Sequence, residues 1–212
     1  MDHLTGEGGN NMRNKPIIFA VIGLIAVALM TGGCAGVKPS NTNFKDPVVT
    51  LDYLEVAHYW GWWYFKNTVQ PTMGKAGNYG APLDLAFVFN IENPNEYPIK
   101  LNGFKFTVAF EEFDLNTVQS TETQWIPPGK TNQLRVHAMF DGRQSLLSLL
   151  VTGGFKLQEK GMGTGAGAAL KQLGTWWEAA PEFGFDIFHK EGSAIFEADG
   201  ITRVVTFEGK YP

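Results

Sequence analysis

From Leu83 to Phe110 the chain reads LDLAFVFNIENPNEYPIKLNGFKFTVAF. Leu83, Leu85, Phe87, Phe89 and Ile91 alternate with Asp84, Ala86, Val88, Asn90 and Glu92. Phe104, Phe106, Val108 and Phe110 alternate with Lys105, Thr107, Ala109 and Glu111. Such period-2 alternation makes strands with one buried face and one face toward solvent. Pro94 and Pro98 bracket the connection, so the stretch predicts a hairpin with a proline-bracketed turn.

The rest of the chain extends this pattern. Pro47 to Phe65 predicts one strand or two, with Val49, Leu51 and Tyr53 alternating and an interruption near Gly61. Lys66 to Ala81 is a loop holding Pro71, Gly74, Gly77 and Gly80. A strand over Leu115 to Trp125 and a turn at Pro127-Pro128-Gly129 come next, followed by a strand carrying Leu134, Val136, Ala138 and Phe140. At Asp141 the period changes. Apolar residues at 146, 147, 149, 150 and 151 predict a short helix, with Asp141 as N-cap and Gly153-Gly154 as the stop. A glycine-rich connector leads to a second helix, in which Leu170, Leu173 and Trp177 recur and Pro181 ends the element.

Phe183, Phe185 and Ile187 alternate again, followed by Ala194 to Ala198 and Ile201 to Glu208, with Asp199-Gly200 as a hairpin turn. About seven or eight short strands with one helical insertion at 141–181 predict a mainly β protein. The expected form is an antiparallel fibronectin-III or immunoglobulin-like β-sandwich over residues 47–212.

Ahead of it lies an address. Ile17 to Met30 is an apolar run preceded by Arg13 and Lys15 and followed by Thr31, Gly32, Gly33 and Cys34. That is the order of a secretory signal helix, spanning 1–33, and the run is shorter than the ~20 residues of a membrane span. Met12 is the expected initiator, because MDHLTGEGGNN lacks a basic n-region. ALMTGGCAG resembles the lipobox of bacterial lipoproteins, although Thr31 stands where leucine is usual. The resemblance implies a lipid on Cys34, a polar tether over 34–46 and a membrane as partner. Ala35 after the cysteine implies the outer membrane, facing the periplasm.

FNIENPNEYPIKLNGFKFTVAF resembles the second group of late-embryogenesis-abundant proteins, also called the water-stress-and-hypersensitive-response domain. The family carries Asn-Pro-Asn after an apolar strand, here Asn93, Pro94 and Asn95, then an aromatic residue, a proline and a second strand. DPVVTLDYLEV, IPPGKTNQLRVHAMF and DGITRVVTFEGKY are similar to its other strands. The resemblance implies a fibronectin-III-like fold and a non-enzymatic role in desiccation and stress protection. It supplies no catalytic residue. Proline presets φ and asparagine bonds nearby amides, so the motif reads as structural.

Little chemistry competes with this reading. The net charge is −4 without a basic stripe, which argues against nucleic acid. One cysteine excludes an internal disulfide. Gly161, Gly163, Gly165 and Gly167 match no nucleotide-binding spacing. His58, His137 and His189 form no local metal pair, and no cofactor is expected. Glu111, Glu112 and Asp114 read as a solvated strand end. Two apolar clusters stay open between core and contact. Trp60, Trp62 and Trp63 either pair within the sheet or form a patch for a partner or bilayer. Leu146, Leu149, Leu170, Leu173, Trp176 and Trp177 either cap the domain or touch an envelope protein or apolar ligand.

Overall fold

The computed structural model describes residues 36–65 and 80–212. The chain divides into two units, Met1–Val37 and Lys38–Pro212. The signal segment, Met12 and Cys34 lie outside the described residues, as does the 66–79 stretch of the first loop. Only the second unit is described below.

Its strands are β1 (Val48–Tyr59), β2 (Leu83–Glu92), β3 (Ile99–Phe110), β4 (Phe113–Ser120), β5 (Gln124–Ile126), β6 (Thr131–Phe140), β7 (Ile187–Ala198) and β8 (Ile201–Tyr211). The helices α1 (Gly142–Thr152), α2 (Gly154–Glu159) and α3 (Gly165–Ala179) lie between β6 and β7. One sheet runs β1-β2-β6; the other runs β4-β3-β7-β8, with β5 beside β3. All pairings are antiparallel. The protein is thus mainly β, with two antiparallel sheets and a short helical insertion.

The expected hairpin is a correction. β2 belongs to the first sheet and β3 to the second, so the turn between them is an arch from sheet to sheet. Alternation fixes which side chains face the core, not which strand bonds to which. Odd-numbered residues stay buried straight through the turn: Ile91, Asn93, Asn95, Tyr97, Ile99 and Leu101. Parity then switches to Phe104, Phe106, Val108 and Phe110, and the register of β3 against β7 shifts between Leu101 and Gly103. A β-bulge there absorbs the extra residue. Ala86, Val88 and Ala109, expected toward solvent, are also buried.

The facing sheets fill one core. Phe87 meets Phe106 edge-on at 5.0 Å, and Phe89 lies 4.9 Å from Phe104 and 5.4 Å from Phe207. Leu83 pairs with Tyr59 and Phe140 at one end of the first sheet; Glu92 pairs with Val48 and Thr131 at the other. The arch and the start of β1 therefore share one end. The helices follow Phe140 and occupy the opposite one.

Three further expectations change. The strand over Leu115 to Trp125 is two strands, broken at 121–123 without a glycine or proline to mark it. Phe183 is not in a strand: it sits in a left-handed conformation, φ 49°, after a short 3₁₀ turn. Gly153 does end α1 as its C-cap, but the helical segment continues, because a further helix, α2, begins at once at Gly154. Asp141 does cap α1, accepting from the Arg143 N–H at 2.8 Å.

Candidate functional site

Asn93, Pro94 and Asn95 build the arch. The Asn93 side chain is fully buried. Its Nδ2 donates to the carbonyls of Tyr97 (2.9 Å), Ile126 (3.0 Å) and Pro127 (3.2 Å). Its Oδ1 accepts from the backbone N–H and the side-chain Nδ2 of Asn95, both at 3.0 Å. Asn95 in turn grips the incoming chain like a ladder partner. Its Oδ1 accepts from the Lys45 N–H (2.8 Å), and its Nδ2 donates to the Lys45 carbonyl (2.9 Å). Irregular backbone at a buried turn must find partners, and one amide pair supplies them for the arch, for β5 and for the arm before β1.

The arm is held at more points. Tyr97 donates to Asn43 Oδ1 at 3.1 Å, and Arg203 donates to the Asn41 carbonyl at 2.7 Å. Phe44 is buried edge-on against Tyr97, with the Arg203 guanidinium 5.9 Å from its ring. Burial raises the Tyr97 phenol above its ordinary 10.0, and Arg203 pulls the other way. The segment read as a tether over 34–46 is therefore bound to the domain from Asn41 onward.

At the helical end the aromatic clusters resolve differently from one another. Trp177 is fully buried, with its Nε1 donating to the Ala81 carbonyl at 2.7 Å. Trp176 is buried against Phe113 (5.4 Å) and Phe110 (5.8 Å). Leu149 and Leu173 are buried too, while Leu146 and Leu170 are half-buried. These side chains close the core between β3 and β6, so Leu173, Trp176 and Trp177 present no free surface to a partner. Trp62 is half-buried, stacked on Phe65 at 4.4 Å and leaning on Trp177 at 5.5 Å. A Cβ at Gly174 would come within 2.8 Å of the Trp62 Nε1, which is why the helix carries glycine there. Trp60 is half-buried against Tyr64 at 4.2 Å and bonds His58. Of the tryptophans read as contacts, Trp63 is the exposed one, at 75%. The insertion's exposed apolar side chains are others: Leu147, Val151 and Phe155.

His189 is the one buried histidine among the described residues. It lies edge-on to Phe89 at 5.4 Å, beside a bulge in β7 where Glu191 has φ 51°. Its ring covers the bare backbone of Gly209 on β8: a Cβ there would meet its Cε1 at 2.8 Å. Its Nδ1 has no hydrogen-bond partner. Desolvation lowers its pKa from 6.5 to about 4. Between those values the unfolded chain holds a proton that the folded chain excludes. Stability is therefore complete above about pH 6.5, falls as pH drops toward 4, and levels below that for this group. The ceiling of the loss is about 3 kcal/mol. Urea unfolding at pH 7.5 and 4.5 should show it, and His189→Leu should flatten that window; an unchanged slope in the variant would assign the acid sensitivity elsewhere.

The remaining polar groups form surface networks. His137 bonds Asp84 at 2.8 Å and Arg135 pairs with Glu55 on the outer face of the first sheet. Lys160 and Lys156 bond Glu112, and Lys190 pairs with Asp114, tying α2 and β7 to the β3–β4 turn. Among the described residues no group of His, Cys, Asp or Glu is arranged to hold a metal ion. Gly161, Gly163 and Gly165 have positive φ and form the turn between α2 and α3. A cleft of about 300 Å³ lies between α1 and the edges of β4 and β6, lined by Leu115, Asn116, Met139 and Leu147. Two others flank the β7–β8 bulge. None of these three opens between the sheets.

No protein-family model matches the sequence, and no curated protein does. The fold is similar to that of three solved structures. A protein from Archaeoglobus fulgidus has 10% identity and a TM-score of 0.39, with 76% of this chain and 94% of that chain covered. A Northeast Structural Genomics Consortium target has 10% identity and a TM-score of 0.40, covering 77% and 84%. A Bordetella pertussis protein described as ApaA has 11% identity and a TM-score of 0.38, covering 82% and 94%.

Proposed function

We propose that this chain is a lipid-anchored protein of the bacterial envelope, facing the periplasm from the outer membrane. Its domain is a fibronectin-III-like sandwich of the late-embryogenesis-abundant group 2 type, acting by non-covalent binding or stress protection rather than by catalysis. Two features support the fold part of this reading. The order β1-β2-β6 in one sheet and β4-β3-β7-β8, with β5 beside β3, in the other is compatible with such a sandwich. Asn93-Pro94-Asn95, the residues that carry the resemblance, lie between β2 and β3 and have a structural task there.

The observation that carries the anchoring part is the clasp on the arm. Residues leading back toward Cys34 are bonded to buried Asn95, so a pull on the tether is delivered into the core. A domain held on a short leash needs such an attachment, because a loosely bound first strand would peel. Cys34→Ser tests the anchor. Membrane fractionation should move the mature protein from the membrane pellet to the soluble fraction. A variant that stays in the pellet as fully as the wild type would sink the anchoring claim.

A further inference from the structure

The ladder of the second sheet is interrupted beside His189. The register of β7 shifts against β8 between His189 and Gly192, and the register of β3 against β7 shifts between Lys105 and Thr107. Glu191 takes the left-handed conformation, φ 51°, at this bulge. On one side of it the ladder is tight. Phe207 stacks on Phe104 at 4.6 Å, and a Cβ on Gly192 would collide with the Phe207 carbonyl. On the other side β8 has a short end, in which Gly209 pairs with His189, Lys210 with Phe188 and Tyr211 with Ile187. β8 is the last strand of its sheet, so β7 supplies the ladder for this end. An ion pair between Lys210 and Asp186 at 3.2 Å and the edge-on contact of Tyr211 with Phe183 at 5.1 Å hold it further. Both members of the ion pair are about half exposed, and surface pairs of that kind add little.

The His189 ring lies against this end, covering the bare backbone of Gly209, with Phe89 edge-on to it and its Nδ1 unpartnered. The charges on the strands around it are engaged elsewhere or face water. On β7, Lys190 pairs with Asp114, Glu197 accepts from Asn102 and Glu191 is exposed. On β8, Glu208 and Lys210 are exposed and Arg203 bonds the Asn41 carbonyl. On β3, Lys105 is exposed and Lys100 stands opposite Glu197. On β2, Glu92 is exposed and Asp84 bonds His137. Burial alone therefore sets the protonation of His189. A charged imidazole in this place has no acceptor for its Nδ1 and must reach water. Lifting the end of β8 uncovers the ring without parting the two sheets. We propose that residues 209–211 form an acid-released strap: when His189 takes a proton, this segment leaves β7 while the rest of the sandwich stays folded. The bulge at Glu191 is the hinge, and Phe207, buried and stacked, marks where the held part of β8 begins. Release leaves the β8 side of residues 187–189 unpaired, an edge open to another strand.

The inference does not depend on the anchoring reading. Native-state hydrogen exchange of the full chain tests it, at pH 7.0 and 4.5 and at rising urea below the unfolding transition. With intrinsic exchange rates corrected, amides at 187–189 and 209–211 should open roughly fiftyfold more at pH 4.5 than at pH 7.0. The factor follows from His189 regaining its ordinary 6.5 in the open form against about 4 in the closed one, which is about tenfold per pH unit between those values. Their opening should depend weakly on urea, because little surface is exposed, whereas amides of β2 and β3 should show the steep dependence of whole-domain unfolding. His189→Leu and His189→Gln, neither of which takes a proton, should both lose the rise; thermal melts confirm that they fold. Urea dependence at 209–211 as steep as that of β2 and β3 would mean that the proton acts by unfolding the whole domain, and the proposal falls. Equal opening at the two pH values would mean that the end frays without uncovering His189, and the proposal falls as well. A rise that persists in either folded variant assigns the effect to another group and overturns it. Should neither variant fold, the pH and urea dependence of the wild type decide by themselves.

Discussion

Asn93→Ala is expected to remove about 3–5 kcal/mol of stability, since each stranded buried polar group costs roughly 1–3 kcal/mol. The side chain is fully buried and satisfies carbonyls of Tyr97, Ile126 and Pro127 and both nitrogens of Asn95. Alanine leaves these groups inside the arch with no water to replace the amide. For a domain of this size the loss corresponds to a fall in Tm of roughly 10 °C. Asn93→Asp keeps the shape and does no better, because a carboxylate cannot donate to carbonyls. Asn95→Ala should be milder, about 1–2 kcal/mol, and local. It releases the arm at Lys45, so hydrogen exchange there should rise while the core stays protected. Pro94 is half-buried, and Pro94→Ala should cost less than about 1 kcal/mol. Thermal unfolding of the set decides the matter: an Asn93→Ala shift no larger than that of Pro94→Ala would show that the amide does not hold the arch.

The same residues show where sequence reading reaches its limit. Alternation from Leu83 to Phe110 identified both strands and the inward faces of β2 and of the second half of β3, but not the burial of Ala86, Val88 and Ala109. It could not tell an arch from a hairpin, because both put the same side chains of each strand on the core side. What decides is the partner of each strand, and those partners, β6 and β7, lie far along the chain. The break at 121–123 left no mark, since Thr121, Glu122 and Thr123 carry no turn chemistry. In α1 almost every position from 146 to 151 is apolar, so periodicity could not separate buried Leu149 from exposed Leu147 and Val151. Nothing local distinguished His189 from the other histidines either. Its burial comes from Phe89, on a strand about a hundred residues earlier, and from Phe207 on the neighbouring β8. The tryptophans of α3 were legible as apolar and helical but not as core, because Phe110, Phe113 and Ala81, which receive them, come from separate segments.

That last point makes Trp177→Ala the most damaging single change at the helical end. A buried tryptophan truncated to alanine typically costs 3–5 kcal/mol through lost contacts and an unfilled cavity. Here the Ala81 carbonyl also loses its donor, adding about 1–3 kcal/mol. Ala81 sits in a left-handed conformation, φ 49°, so the backbone has little freedom to turn that carbonyl toward water. A Tm drop of roughly 10–20 °C is expected for a domain of this length. Trp177→Phe separates the two parts: it keeps most of the ring packing against Phe110 and Trp62 and loses only the donor. Its cost should stay near the hydrogen-bond figure, about 1–3 kcal/mol. Phe155→Ala, on the exposed side of the same insertion, should leave Tm within about 2 °C, as surface substitutions usually do. The ordering is the test. Should Trp177→Ala melt within a few degrees of Phe155→Ala, the helices would be a detachable appendage resting on a complete sandwich. The expected wide gap makes α3 part of the core, so deleting 141–181 would leave Phe110, Phe113 and Phe140 bare at the end of the sheets and would unfold the domain rather than trim it.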